Sequence, residues 1–309
     1  MLLTLQTRDS ASDRIIHTSR PIDPAKAAVI VVDPWNYHWC MTACERVNAM
    51  IPRWNLALAG CRRLGMMIVW APSDVVGAYA GMPLRERALA APPAPVPKVR
   101  DLSQFAFKTK INPCMCDARL PCQGNYGHDA VAPGLAIHDD DLMVSTTEEA
   151  YAVLSSAGRN TILYMGLHTN MCLFGKPAAL KWMHEAGMDC ILCRDINDAF
   201  TRSDPAAGYS PDDGTRDVDI ELERGGIPTI NIAEELATVG QWDRSAIFET
   251  VRIAPCGKPL RTCVFEDSMP VHLRAPWVEG ATIHYTLDGS EPSERSPKYA
   301  GPIRLDRTA

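Results

Sequence analysis

Residues 161–165, Thr-Ile-Leu-Tyr-Met, make an apolar run that stops at Gly166, and six positions further on a cysteine opens a helical pattern. A short run of this kind, bounded by a breaker, reads as a strand buried on both faces. From Cys172 the apolar residues Leu173, Ala179, Leu180 and Met183 recur at helical spacing, so the cysteine is expected at or beside a helix N-terminus. Strand into helix commits the chain to α/β construction, in which strand C-terminal ends share the edge where ligands bind. Unpaired N–H groups and the helix dipole there interact with a thiolate by ~0.3–2 kcal/mol and lower a thiol pKa from ~8.5. The same position equally suits a small buried hydrophobe, the ordinary role of a free cysteine.

Asp33 ends a second apolar run, residues 27–32. If both runs lie in one parallel sheet, Asp33 and Cys172 meet at its C-terminal edge as base and nucleophile. The alternative is an aspartate that only caps the following helix.

Val-Val-Asp at 31–33 together with Gly-Leu-His-Thr-Asn-Met-Cys at 166–172 resembles the isochorismatase-like family, in its cysteine-bearing branch of nicotinamidases and carbamoylsarcosine amidases. The resemblance spans roughly residues 25–235. It implies a three-layer α/β/α, Rossmann-like fold around a mostly parallel six-stranded sheet. It also implies a Cys-Asp-Lys triad that attacks a carbonyl carbon bonded to nitrogen. Cys172 matches the nucleophile and Asp33 the base. The backbone N–H groups of His168 and Cys172 match the oxyanion hole, with a cis peptide between Leu167 and His168. The family lysine has no counterpart: its position falls on a small residue near Ser145, and Lys108 and Lys110, upstream on a loop, are the candidate substitutes. Ala71-Pro72-Ser73-Asp74 stands where nicotinamidases carry an Asp-x-His metal cluster, which disfavours that activity. No cofactor is implied.

A net charge of −6 and the lack of a basic stripe argue against a nucleic-acid partner. The N-terminal residues Met1 to Arg8 lack the pattern of an export signal, and no stretch approaches a membrane span, so no membrane partner is expected. Eleven cysteines over 309 residues do not form the framework of a small secreted domain, so reduced thiols are expected. These features point to the cytoplasm, with export open if the N-terminus is incomplete.

Along the chain, Leu3 and Leu5 suggest an edge strand or hairpin. The aromatic loop after Asp33 supplies Trp35, Tyr37, His38 and Trp39 as candidate pocket walls, and Asn170 is a further candidate. Helices are expected at 45–64, 83–89, 147–157 and 214–225, and strands at 66–70, 141–145, 189–195 and 227–232. Cys190 and Cys193 then face opposite sides of one strand, which excludes a redox pair. His138 and Asp139 to Asp141 read as a solvated turn. A proline-rich tract at 91–97 opens a long insertion to about residue 135. Loops of that length are uncommon unless functional. Cys114, Cys116, Cys122 and His128 within it offer soft ligands at a spacing that matches no standard zinc motif, so metal, a local disulfide and buried thiols all stay open.

Residues 1–240 are expected to form the hydrolase-like domain and 241–260 a linker. Residues 261–309 change character, with short strands expected at 271–273, 283–286 and 303–305 between Pro, Gly and Ser turns. Tyr285-Thr286-Leu287-Asp288-Gly289-Ser290-Glu291-Pro292 resembles the signature of chitobiase C-terminal-like, fibronectin-III-associated β modules. A partial all-β sandwich is expected, because the chain stops soon after Leu305.

The expected activity is hydrolysis of a C–N bond in a small amide-like substrate, with a homo-oligomer left open. The missing lysine leaves open a catalytically impaired binding or scaffold module, and the cysteine-rich insertion a metal site serving another reaction.

Overall fold

A computed structural model of the chain describes residues 1–112, 114–116, 128–204, 207–242, 252–255, 267–274 and 281–307. It opens with an antiparallel hairpin, β1 (Leu2–Arg8) and β2 (Ile15–Pro21). Then come β3 (Ala27–Val32), α1 (Met41–Arg63), β4 (Met67–Ala71), α2 (Pro83–Leu89), β5 (Leu142–Met143), α3 (Thr147–Ser156) and β6 (Thr161–Leu167). After them follow α4 (Cys172–Gly175), α5 (Leu180–Glu185), β7 (Asp189–Asp198), α6 (Pro211–Arg224), β8 (Thr229–Ile230) and α7 (Ile232–Thr238).

The sheet runs β2-β1-β8-β7-β6-β3-β4-β5. Every pairing from β8 to β5 is parallel, so the expected six-stranded parallel sheet is present, and the N-terminal hairpin extends it to eight strands by joining β8 antiparallel. In β3, Ala27, Val29 and Val31 pack with α1 and α7, while Ala28, Ile30 and Val32 pack with α3, α5 and α6. Helices on both faces make three layers and bury the central strands completely, at ~1.5–3 kcal/mol for each large aliphatic side chain. Cys190 and Cys193 fall into opposite layers, as their spacing requires.

Four elements differ from expectation. The helix expected from Cys172 to Met183 is two short helices, because Pro177 has no N–H to give and drives Lys176 into extended backbone (φ −69°, ψ 165°). α6 starts at Pro211, ahead of the expected Gly214, because Ser210 and Asp213 form a capping box with a proline at the first turn. β8 is only two residues long, since Asn231 caps α7 and claims the rest of the expected strand. Asp141 is buried rather than solvated, held by Arg62 and the Trp70 indole at 2.6 and 2.8 Å.

Residues 99–109 of the insertion lie along the helices that follow β6 and β7. The Val99 and Arg100 N–H groups donate to the Glu185 carbonyl, Thr109 donates to Glu221, and Phe105 and Phe107 pack on Phe174 of α4. No helix among the described residues is long and apolar enough to cross a membrane.

A separate antiparallel sheet of β9 (Arg252–Pro255), β10 (Met269–Arg274) and β11 (Ile303–Leu305) has the order β11-β10-β9. Met269, Val271 and Leu273 form its core under Ile283, Tyr285, Tyr299, Ile303 and Leu305. Residues 283–286 contribute a single bridge, His284 to Lys298, rather than a strand, whereas β9 adds a strand where only a linker was expected.

Candidate active site

β4 and β5 extend the sheet on one side of β3, while β6, β7 and β8 extend it on the other. The chain therefore reverses its direction of growth between β3 and β6, the switch point at which α/β sheets leave a crevice above the strand ends. Val32 and Gly166 face each other at that point. Gly166 has φ +136°, and a Cβ there would come 2.1 Å from the Val32 carbonyl oxygen, so only glycine lets the two strands approach this closely. Immediately beyond are Asp33 on one strand and the turn to Cys172 on the other.

Asp33 is fully buried with φ +46°, a left-handed conformation that costs a non-glycine residue ~1–3 kcal/mol. Burial raises its pKa, while the Ser73 hydroxyl, the Cys172 thiol and the charges of Lys176 and His128 pull it back. Neither Ser73 nor Cys172 is aligned as a hydrogen bond, and both carboxylate oxygens lack a partner. Burial, and then the Asp33 charge, push the Cys172 thiol well up, against the opposing pull of Lys176 and the His168 N–H. The expected lowering by a helix dipole is therefore reversed: α4 is a single turn, and desolvation beside a carboxylate outweighs it. The resting proton belongs on sulfur.

Lys176 is the cation that sequence reasoning missed. It binds Asp74 at 2.7 Å, and the charges of Asp33 and Cys172 act on it, so it stays protonated. The Pro177 break takes it out of the helix, and the Lys-Pro dipeptide was the available signal. Of the candidate substitutes, Lys108 has its backbone N–H on Glu221 of α6, as has its neighbour Thr109.

The candidate pocket walls separate. Trp35 and His38 are buried, with rings stacked 4.7 Å apart, and the His168 ring lies 4.9 Å from Trp35, tilted, and 5.3 Å from His38, edge-on. Phe200, which sequence reasoning passed over, closes the group 4.7 Å from His168, and Trp39 lies against His38. Tyr37 is 54% exposed. Burial lowers the pKa of His38 and of His168 to about 3, so both imidazoles are neutral. His38 Nε2, His168 Nε2, Trp35 Nε1 and Ser73 Oγ are buried without a hydrogen-bond partner, as are the Asp33 oxygens. So many unpartnered polar atoms at one strand edge mark a surface built to meet a polar ligand.

Asn170, a candidate pocket residue, also braces the cysteine turn. Its amide donates to the Phe200 carbonyl at 3.1 Å and its oxygen accepts the Phe200 N–H at 2.8 Å, which ties the cysteine turn to the end of β7. Thr169 N–H donates to the Asp198 carbonyl at 2.7 Å. The Asp198 carboxylate is gripped by buried Arg46, which also pairs with Asp212 at 2.7 Å. Within the turn, Met171 and Leu173 N–H groups donate to the His168 carbonyl. The Leu167–His168 bond, for which the family resemblance implies cis, is trans, the form a non-proline bond takes unless ~3 kcal/mol is spent elsewhere.

Of the soft ligands in the insertion, Cys122 lies outside the described residues, and His128 stacks on Trp35 at 5.8 Å. Cys114 and Cys116 instead gather around Cys40, at the end of the aromatic loop.

Residues 271–309 match the family profile described as Chitobiase/beta-hexosaminidase C-terminal domain, in keeping with the resemblance of the Tyr285 to Pro292 segment. No curated protein sequence matches the chain. Among solved structures, a cysteine hydrolase from Pseudomonas syringae pv. phaseolicola 1448A is similar at 17% identity over 74% of this chain and 97% of its own, with a TM-score of 0.44. An isochorismatase family protein from Burkholderia thailandensis is similar at 14% identity over 65% and 97%, TM-score 0.34. The MAR1 ribonuclease from Caenorhabditis elegans is similar at 12% over 72% and 85%, TM-score 0.39. Such likenesses say nothing of what this chain acts on.

Proposed function

We propose that the chain is a cysteine hydrolase that opens an amide, imide or carbamoyl C–N bond of a small molecule through a thioester on Cys172. The observation that carries this is the meeting of one thiol, one buried unpartnered carboxylate and one cation at the switch point. Cys172 Sγ attacks the carbonyl carbon while Asp33 takes the thiol proton, so a free thiolate need never accumulate. Asp33 then returns that proton to the departing nitrogen, and the amine leaves. Water attacks the thioester next, giving its proton to Asp33. The carboxylic or carbamic acid departs as the proton goes back to sulfur.

Lys176 takes the part of the triad cation: it offsets the negative charge that passes between Asp33 and Cys172. The His168 and Cys172 N–H groups are the donors for the carbonyl oxygen as it becomes an oxyanion, each worth ~2.7–4 kcal/mol. Two neutral imidazoles, an indole N–H and the aromatic rings around them favour a small, uncharged, planar substrate.

A hydrolysis screen over small amides, imides and ureides tests this. Turnover by the parent that is lost in Cys172→Ser supports the reading, and turnover retained in Cys172→Ser removes it. One observation favours a second reading: the raised thiol pKa suits a small-molecule-binding module without catalysis. There, Cys172→Ala leaves binding intact, and no member of the screen turns over.

A further inference from the structure

Three sulfurs converge beside the candidate active site and take no part in the reaction proposed above. Cys40 is the residue before α1, and Cys114 and Cys116 come from the insertion. Cys40 Sγ lies 3.6 Å from Cys114 Sγ and 3.8 Å from Cys116 Sγ, and all three atoms fall within 4.8 Å of one another. Around a tetrahedral centre with metal–sulfur bonds of ~2.3 Å, neighbouring sulfurs stand ~3.8 Å apart. The spacing seen is that of a metal–thiolate edge, while a disulfide needs sulfurs at ~2.05 Å.

The surroundings suit negatively charged sulfur. The Thr42 hydroxyl lies 3.1 Å from Cys116 Sγ, the Met115 N–H donates to Cys40 Sγ at 3.3 Å, and the Cys116 N–H donates to Cys114 Sγ at 3.3 Å. Such donors hold the charge and direction of metal-bound thiolates. Cys40 is also the N-cap of a 23-residue helix with no acidic residue in its first turn, so the positive end of the helix dipole lies beside the sulfurs. Buried Ala43, Met115 and Phe200, with Met171, wall the cluster.

We propose that Cys40, Cys114 and Cys116 form a three-thiolate site for a soft d10 cation, zinc(II) or copper(I), which staples the insertion to the start of α1. Thiolates favour these ions over magnesium or calcium, which prefer oxygen. Binding releases protons from the thiols and changes no oxidation state. The fourth coordination position of zinc is left to water or to a small ligand, whereas copper(I) is content with three sulfurs. The proposal does not rest on the hydrolase reading, and its test reads metal rather than turnover.

The test uses the full chain, purified with reductant, stripped with chelator and then loaded with zinc(II), with copper(I) under anaerobic conditions, or with cobalt(II) as a coloured probe. Expected are one bound ion per chain by elemental analysis, a rise in Tm on loading, and near-ultraviolet thiolate-to-cobalt charge-transfer bands. Preference between zinc and copper in direct competition decides which ion the site takes. Cys40→Ser and Cys116→Ser are expected to weaken binding by at least about tenfold. Cys44→Ser, whose sulfur points to the His38 carbonyl at 3.5 Å instead, keeps it. If a serine variant fails to fold, the cobalt spectrum of the parent decides alone. Absence of stoichiometric uptake by the folded parent, or uptake unchanged in both serine variants, overturns the proposal. So does a Cys40–Cys114 or Cys40–Cys116 disulfide, found by peptide mapping as a loss of two hydrogens, that persists in metal-free protein after treatment with reductant.

Discussion

His168 should make the fold sensitive to mild acid, by an amount that follows from its surroundings. Burial first, and then the charge of Arg46, hold the folded imidazole to a pKa of about 3, against 6.5 for a free side chain. The folded pKa is depressed, so between these values the unfolded chain binds a proton that the folded chain refuses. The contribution is present in full above pH 6.5 and is lost as pH falls toward 3, at ~1.4 kcal/mol per pH unit. Relative to pH 8 this amounts to ~1.4 kcal/mol at pH 5.5 and ~2.7 kcal/mol at pH 4.5. Carboxylates titrate over part of the same range, so the informative comparison is with His168→Gln, which keeps a polar side chain and removes the titration. Urea unfolding at half-unit steps from pH 8 to 4.5 should give the parent the steeper fall, by ~1.4 kcal/mol per unit below pH 6. Parallel curves would mean that the folded imidazole takes up its proton as freely as the unfolded one, and would refute the buried, neutral ring on which the substrate argument stands.

Asp33→Asn should separate two properties of Cys172. Removing the carboxylate charge lowers the thiol pKa, so iodoacetamide alkylation of Cys172 at pH 8 should speed up, while hydrolysis falls by at least about a hundredfold because its base is gone. A fall in both would argue against the assigned role. Lys176→Met should slow alkylation by about tenfold and reduce kcat with little change in KM; a change confined to KM would make the lysine a binding residue. Gly166→Ala should cost roughly 2–5 kcal/mol in urea unfolding, from left-handed strain and the approach to Val32 O, and should reduce hydrolysis further than stability requires. A change below about 0.5 kcal/mol would show that β3 and β6 are not held at that contact.

What was legible in the sequence follows from what each residue's partner is. The runs at 27–32 and 161–165 are buried on both faces by helices, so their apolar character announces strands without knowledge of those neighbours. Asp33 and Cys172 follow from topology alone, since parallel strands bring their C-terminal ends to one edge. Elements decided by one local interaction against the periodic pattern were read less well: Pro177 divides the expected helix, and the Asn231 cap shortens β8. The pKa direction of Cys172 was legible only as a competition, and burial beside the Asp33 charge decided it, which the helical pattern after Cys172 does not encode. Lys176 and the meeting of Cys40 with Cys114 and Cys116 depend on where a long insertion and a broken helix come to rest, which no periodicity encodes. In the C-terminal sheet, residues 283–286 alternate like a strand, yet among the described residues they pair by one bridge, His284 to Lys298, flanked by the Tyr285 to Pro297 and Tyr299 to Ile283 backbone bonds.

Intact-mass analysis with peptide mapping, on protein quenched in acid during turnover of whichever amide or ureide the screen finds, tests the central claim most directly. The account predicts an added mass equal to the acyl portion of the substrate, on the peptide that contains Cys172, absent in Cys172→Ser and prolonged when hydroxide attack is slowed at lower pH. Steady consumption of substrate with Cys172 unmodified, or an adduct on another residue, would contradict it.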